Sequence, residues 1–407
     1  MTIETPAIAA TQNVSVQPGS TGDQWLVDNF AVGDFFFASP DKQYRACAKD
    51  GVVSAYQAVS RDVVKALFEQ ASQQGVQAPV MFGLVPFDVA NAASLAIPVK
   101  HTSAGIPPKA SVAASDLPPQ QTRPQVVSRE PVPAPEQYGD MVRKALGLFD
   151  QGELKKVVLS RAMDVQLDRP VDYTRLLPDL LSRNAHGYTF AVPVWADGAD
   201  AAPTGVMVGA SPELLVRREG DRIYVNPLAG SIGRNSDAET DQALKDGLAR
   251  SEKDLREHGY VVSDIVRILR MHCDELDVPD GPSVIGTDTL WHLSTYITGR
   301  LSDTTMTALD LSLALHPTPA ICGHPTATAF GHIRDIEPFD RGYFAGLVGW
   351  QLANGDGEWA LTLRCALHDG GSKLRLYAGA GTVAGSDPES EIKETATKME
   401  TFMRAIS

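Results

Sequence analysis

Short alternating runs of apolar and polar residues dominate this chain, with stretches at helical spacing between them. GDFFFASP, beginning at Gly33, and VMFGLVPFDV (Val80–Val89) read as strands, and RDVVKALFEQASQQG between them reads as a helix. Helical spacing returns at Tyr138, Met141, Val142, Ala145, Leu148 and Phe149 and runs into KKVVLSRAMDVQL (Lys155–Leu167), a β-branched strand pattern. Tyr173–Ser182 is a short helix by the same spacing, followed by strands in YTFAVPVW, VMVGASPELLVRR and DRIYVNPLAGSIG. The pattern predicts a long helical region from Ala238 to Leu276, then strands in GYFAGLVGWQL, GEWALTLRCAL and SKLRLYAGAG. A last helix follows, with Asp387 as N-cap and Pro388 at its first position. Runs of strands, then helices, then strands again predict an α+β fold of mostly antiparallel sheets flanked by helices.

Residues 1–22 are small and polar and are expected to form a flexible segment, leaving one large domain over 23–407. Inside it, the prolines from Pro107 to Pro135 mark residues 105–135 as an extended connection. With 36 basic and 50 acidic side chains the net charge is −14, which argues against nucleic acid or an anionic membrane surface as partner. An anionic ligand therefore needs local cations, because more distant charges are screened within roughly 8 Å. The four cysteines are scattered, the first residues lack the pattern of a signal peptide, and no apolar run nears the ~18 residues that span a bilayer. A cytoplasmic protein is expected.

Candidate chemistry begins in the last helix, where Glu391, Glu394 and Lys398 share a face. That stripe is either a solvated ion pair or part of a metal site. Glu257 is followed by Val261, Ile265 and Leu269 at four-residue steps, so it continues an apolar face, and it either reaches solvent or an arginine from the end of that stripe or binds a metal. Lys155 and Lys156 alternate across a strand, so one of them can point inward and serve as a general base. PLAGSIG and YAGAGTV let backbone approach a ligand closely, and Arg364 sits amid apolar residues, available for a carboxylate. His292 and His316 fit core positions equally well.

KVVLSR, GASPELL, PLAGS, SEKDLREH, TLWHL, HPTPAICGHP, EPFDRGYFAGLVGW, LTLRCA and YAGAG follow one another from about residue 140 to the end. Taken together they resemble the chorismate-utilising enzymes, the anthranilate synthase component I-like fold, and most closely the isochorismate synthases of catecholate siderophore pathways. The resemblance implies a Mg²⁺-dependent conversion of chorismate to isochorismate. It implies Lys156 as general base, Glu213 as general acid, and Glu257 and Glu394 as metal carboxylates, with Glu391 assisting through water. Substrate contacts carry over to Gly230, His292, Ala320, Arg364, Gly379 and Lys398. A monomer is expected, with transient contact with a downstream isochorismatase.

Family members that use ammonia carry glutamine at the position of Lys156, and the aminodeoxychorismate type carries lysine at the position of Ala229. The pair here, Lys156 and Ala229, implies water as the nucleophile. Salicylate synthases share the lysine and eliminate pyruvate as well, but HPTPAICGHP is closer to the siderophore enzymes. Menaquinone-pathway isochorismate synthases share the chemistry. A relative that binds chorismate without turning it over is the alternative of another class.

Overall fold

The computed structural model describes residues 24–107, 123–184, 186–195 and 203–406. The expected flexible segment 1–22 lies outside the described residues, as does 108–122 of the proline-rich connection. The remainder of that connection is not all extended linker, because Val126–Val132 pairs antiparallel with the strand Lys156–Leu167.

Eight helices are present among the described residues: α1 (Arg61–Gln73), α2 (Pro135–Asp150), α3 (Tyr173–Arg183), α4 (Ala238–Arg250), α5 (Glu252–Leu269), α6 (Ala308–Leu315), α7 (Thr326–Ile336) and α8 (Pro388–Ile406). The strands form antiparallel sheets of ten, nine and three members. Their layering is visible in Phe35–Ala38, where all four residues are buried. Phe35 and Phe37 enter the core between the two large sheets, and Phe35 meets Phe82 at 5.4 Å between ring centroids. Phe36 and Ala38 point the other way, into a second core under α3 and α8 with Leu177, Phe402 and Met403. Alternation on a strand buried on both faces produces this division.

Three stretches with a continuous strand pattern are in fact broken. VMVGASPELLVRR divides at Pro212 and Glu213, with Gly205–Ser211 in the ten-stranded sheet and Leu214–Glu219 in the nine-stranded one. GEWALTLRCAL divides the same way between Gly357–Leu361 and Cys365–His368, turning through Arg364 at φ 49°. DRIYVNPLAGSIG divides at Pro227, which has no N–H for a ladder, and Leu228–Gly233 joins the three-stranded sheet. The helical region expected over 238–276 is two helices and a strand. Ser251 caps α5 by accepting from Asp254 N at 3.3 Å, and Cys273–Asp277 pairs with Ile297–Leu301.

The strand Lys156–Leu167 is paired along one edge with Lys373–Val383. On its other edge Gly323–His324 covers Lys156 and Val157, and Val126–Val132 covers Ala162 onward. Side chains serve the gap between them. Arg341 Nη2 donates to Val158 O at 2.7 Å, Ser160 N donates to Glu337 Oε1 at 2.7 Å, and the Tyr138 hydroxyl donates to Leu159 O at 2.9 Å. Arg341 also binds Glu337 with two nitrogens and Ile321 O at 2.9 Å, so one buried ion pair ties this strand to the 316–322 loop.

Candidate active site

A cavity of about 220 Å³ opens where these three strand breaks meet α5 and α8. Glu213 and Arg364, each placed at a crossing between the two large sheets, line it together with Gly230 of the three-stranded sheet. So do Glu257 from α5, Glu394 and Lys398 from α8, His292, Ala320 and Gly379. Lys156 and Glu391 stand immediately behind its wall.

The choice between the two lysines is settled by burial: Lys155 is exposed and Lys156 is fully buried. Lys156 Nζ lies 2.9 Å from Glu257 Oε1 but not in hydrogen-bonding geometry. Gly381 makes room for this pair, since a Cβ there would overlap Glu257 Oε1 and stand 3.2 Å from Lys156 Cε. Gly381→Ala is therefore expected to lower the melting temperature by several degrees through overpacking and to cut turnover about 10²-fold by displacing the pair. A thermal melt beside a rate measurement checks it, and wild-type values for both would remove Gly381 from this role.

Glu213 lines the same cavity. Burial raises its carboxyl to about 8, although its Oε1 accepts from Leu228 N at 3.2 Å and Lys156, Lys398 and Arg364 act in the opposite direction. It therefore carries its proton at neutral pH. The Arg364 guanidinium is lowered by burial to about 10 and stays charged, with no carboxylate within ion-pair distance among the described residues. His292 is held neutral by burial and by the cations Arg364 and Lys398. Its Nδ1 meets Ser231 Oγ at 2.7 Å, while Nε2 is buried without a partner.

On α8 the expected cap is present, with Ser390 N donating to Asp387 Oδ2 at 2.9 Å. Lys398 Nζ pairs with Glu394 Oε1 at 2.6 Å and donates to Gly379 O at 2.8 Å. Glu391 is buried, raised to about 7 by burial and the neighbouring Glu394, and its Oε2 has no partner. Among the described residues no three ligating side chains are gathered into a closed metal cage. Glu257 and Glu394 instead face one cavity from separate helices, with Asp254 beside them. That donor set suits a hard divalent cation, which takes one or two protein carboxylates and leaves its other positions to water and ligand.

Some lining residues escaped the sequence reading. Asp254 stands one turn before Glu257 on α5, the same three-residue spacing as Glu391 and Glu394, so its signal was present. Ser160 and Arg341 carry no comparable signal, because a serine in a strand and an arginine four residues after a glutamate are common patterns. His258, passed over inside SEKDLREH, fixes the glycine-rich wall by meeting Ala229 O at 3.1 Å and Thr295 Oγ1 at 2.7 Å. His316 is a core residue outside the cavity, with Nε2 donating to Phe87 O at 2.9 Å.

Among curated proteins, isochorismate synthase DhbC of Bacillus subtilis is 42% identical over 401 residues, covering 97% of this chain and 98% of that protein. The vibriobactin-specific isochorismate synthase of Vibrio cholerae is 41% identical over 397 residues, covering 95% of each. Among solved structures, the putative 2,3-dihydroxybenzoate-specific isochorismate synthase DhbC of Bacillus anthracis superposes with a TM-score of 0.84 at 39% identity, covering 93% of this chain and 98% of that one. Anthranilate synthase component I of Streptococcus pneumoniae shares the fold at a TM-score of 0.69 and 18% identity, covering 95% of this chain and 96% of that one. Residues 98–407 match the family described as chorismate binding enzyme. With that match and relatives of this identity along nearly its whole length, the chain belongs to the chorismate-binding enzyme family.

Proposed function

We propose that this protein is an isochorismate synthase, adding water at C2 of chorismate with loss of the C4 hydroxyl. The observation that carries the reading is that a buried carboxylic acid at Glu213 lines the same cavity as Glu257, whose buried partner Lys156 stands just behind the wall. One group suits donation of a proton and the other removal of one. Lys156, rather than glutamine, and Ala229, rather than lysine, leave water as the nucleophile.

In this reading Lys156 takes a proton from the water that attacks C2, and Glu213 gives its proton to the departing C4 hydroxyl as the ring double bonds shift. Water is consumed and released, so the product is an isomer. Arg364 holds the carboxylate of the enolpyruvyl arm, and His292 orients the substrate through Nε2. Gly230, Ala320 and Gly379 let backbone approach the ring, while Lys398 fixes the Gly379 carbonyl. Glu257 and Glu394 would hold Mg²⁺, with Glu391 assisting through water, and the ion would neutralise the ring carboxylate against these acids. The dihydroxybenzoate- and vibriobactin-specific names of the relatives support a place in catecholate siderophore synthesis. No described helix is long and apolar enough to cross a membrane.

The test is chromatography of chorismate incubated with the protein, with Mg²⁺ and separately with EDTA, beside a pyruvate assay. Isochorismate formed only with Mg²⁺ and without pyruvate supports the synthase. Salicylate with stoichiometric pyruvate would make it a salicylate synthase, and unchanged chorismate would leave a binding protein. Glu394→Ala is expected to abolish the Mg²⁺-dependent rate and to weaken Mg²⁺ binding by calorimetry at least tenfold. Unaltered metal affinity would return Glu394 to its ion pair with Lys398.

A further inference from the structure

His292 meets the substrate through Nε2, so what it contributes depends on which ring nitrogen carries the proton. A neutral imidazole donates from one nitrogen and accepts at the other, and the partner of one fixes the role of its neighbour. Carbonyl partners, which only accept, decide this for three other buried histidines. His258 donates from Nδ1 to Ala229 O at 3.1 Å and therefore accepts from Thr295 Oγ1 at Nε2. His316 donates from Nε2 to Phe87 O at 2.9 Å. His368 donates from Nε2 to Gly371 O at 2.9 Å, so its Nδ1 accepts from the Tyr173 hydroxyl at 2.8 Å.

His292 has no such carbonyl among the described residues. Its ring is bonded at Nδ1 to Ser231 Oγ, at 2.7 Å, and its buried Nε2 is left for the cavity. The two residues stand opposite each other in the three-stranded sheet, brought into line by a register shift between Leu228 and Ser231 that passes through Gly230 at φ 80°. Burial and the cations Arg364 and Lys398 keep the ring neutral, so it holds one proton. If that proton sat on Nδ1, Ser231 would accept it and Nε2 would aim a lone pair into the cavity. Chorismate presents two carboxylates and an ether oxygen, all acceptors, and a single hydroxyl. If Ser231 donates instead, its own proton is satisfied and Nε2 keeps an N–H for the ligand. This is the arrangement of Tyr173 and His368, with a ligand oxygen in the place of Gly371 O.

We propose that Ser231 is a positioning residue: its hydroxyl donates to His292 Nδ1 and holds the ring proton on Nε2, where it donates to a substrate oxygen. The inference rests on the isochorismate synthase reading and adds the group that sets His292 for that role.

Nitrogen-15 NMR of the histidine side chains in ligand-free protein, with the His292 signals assigned by their loss in His292→Gln, tests the first half. The expected result is a proton on Nε2 in the wild type, an Nδ1 resonance displaced in Ser231→Ala, and its return in Ser231→Thr. Calorimetry with chorismate tests the second half. Ser231→Ala is expected to lose about tenfold in affinity, the usual worth of one hydrogen bond, and Ser231→Thr to recover most of it, with melting temperatures of the ligand-free proteins verifying the fold. A wild-type His292 protonated on Nδ1, or an Ser231→Ala protein with wild-type resonances or wild-type affinity, would overturn the proposal. Wild-type protein that shows the Nε2 proton yet fails to bind chorismate would instead remove the functional reading itself.

Discussion

Lys156→Gln is expected to lower kcat for isochorismate formation by 10²–10⁴-fold, the usual contribution of a positioned general base. Glutamine keeps much of the side-chain length and can turn its amide toward Glu257, so the wall around Gly381 holds its shape. The cost in stability arises because Lys156 is fully buried and pairs with Glu257 at 2.9 Å, and removing one partner of a buried pair is typically worth about 3–5 kcal/mol. The Glu257 carboxylate faces the cavity and recovers part of this through water. A folded variant with unaltered chorismate affinity and little turnover, measured by chromatography, is the predicted combination. Turnover near wild type would dismiss Lys156 as the base.

Glu213→Gln is expected to cost as much in rate, because a neutral amide cannot release a proton to the departing hydroxyl. It also has an effect that needs no substrate. The Glu213 carboxyl is raised by burial from 4.5 to about 8 in the folded protein, so between these values the folded state keeps a proton that the unfolded state has lost. Stability from this group is therefore fully present below about 4.5 and lost as pH rises through about 8. At ~1.4 kcal/mol per pH unit the loss reaches a few kcal/mol. Relative to wild type, the glutamine variant should gain melting temperature steadily from pH 5 to about pH 8 and no further. A difference that stays flat over that range would mean that Glu213 is ionised in the folded protein. In the wild type, kcat should fall above about pH 8 as the acid form disappears.

How legible the molecule was in its sequence varied with how local each signal was. The α8 cap at Asp387, the apolar face of α5 and the strand through Lys156 were all readable, because each is written in neighbouring residues. The strand breaks were not. GASPELL and LTLRCAL keep their apolar character across the break because the chain leaves one buried sheet for another, and both sides demand apolar residues. Pro212 and Pro227 were visible hints; Arg364, at φ 49°, gave none. Which lysine faced inward was likewise undecidable from alternation, since the apolar run continues on both faces of VVLS. Site residues matched by resemblance gathered in or directly behind one cavity, whereas Asp254, Ser160 and Arg341 required the fold to bring them there.

The broken strands have a consequence for altering this protein. Its acid, its guanidinium and its glycine-rich wall are not carried on exposed loops that could be exchanged between relatives as cassettes. They sit at seams, and their separations are set by how one sheet lies on another. Packing between the sheets, at residues such as Phe35, Phe82 and Trp359 that never touch a ligand, thus acts as the calibration of the chemistry. Randomising surface loops would sample solubility, while changing core volume would sample the distance between the acid and the base.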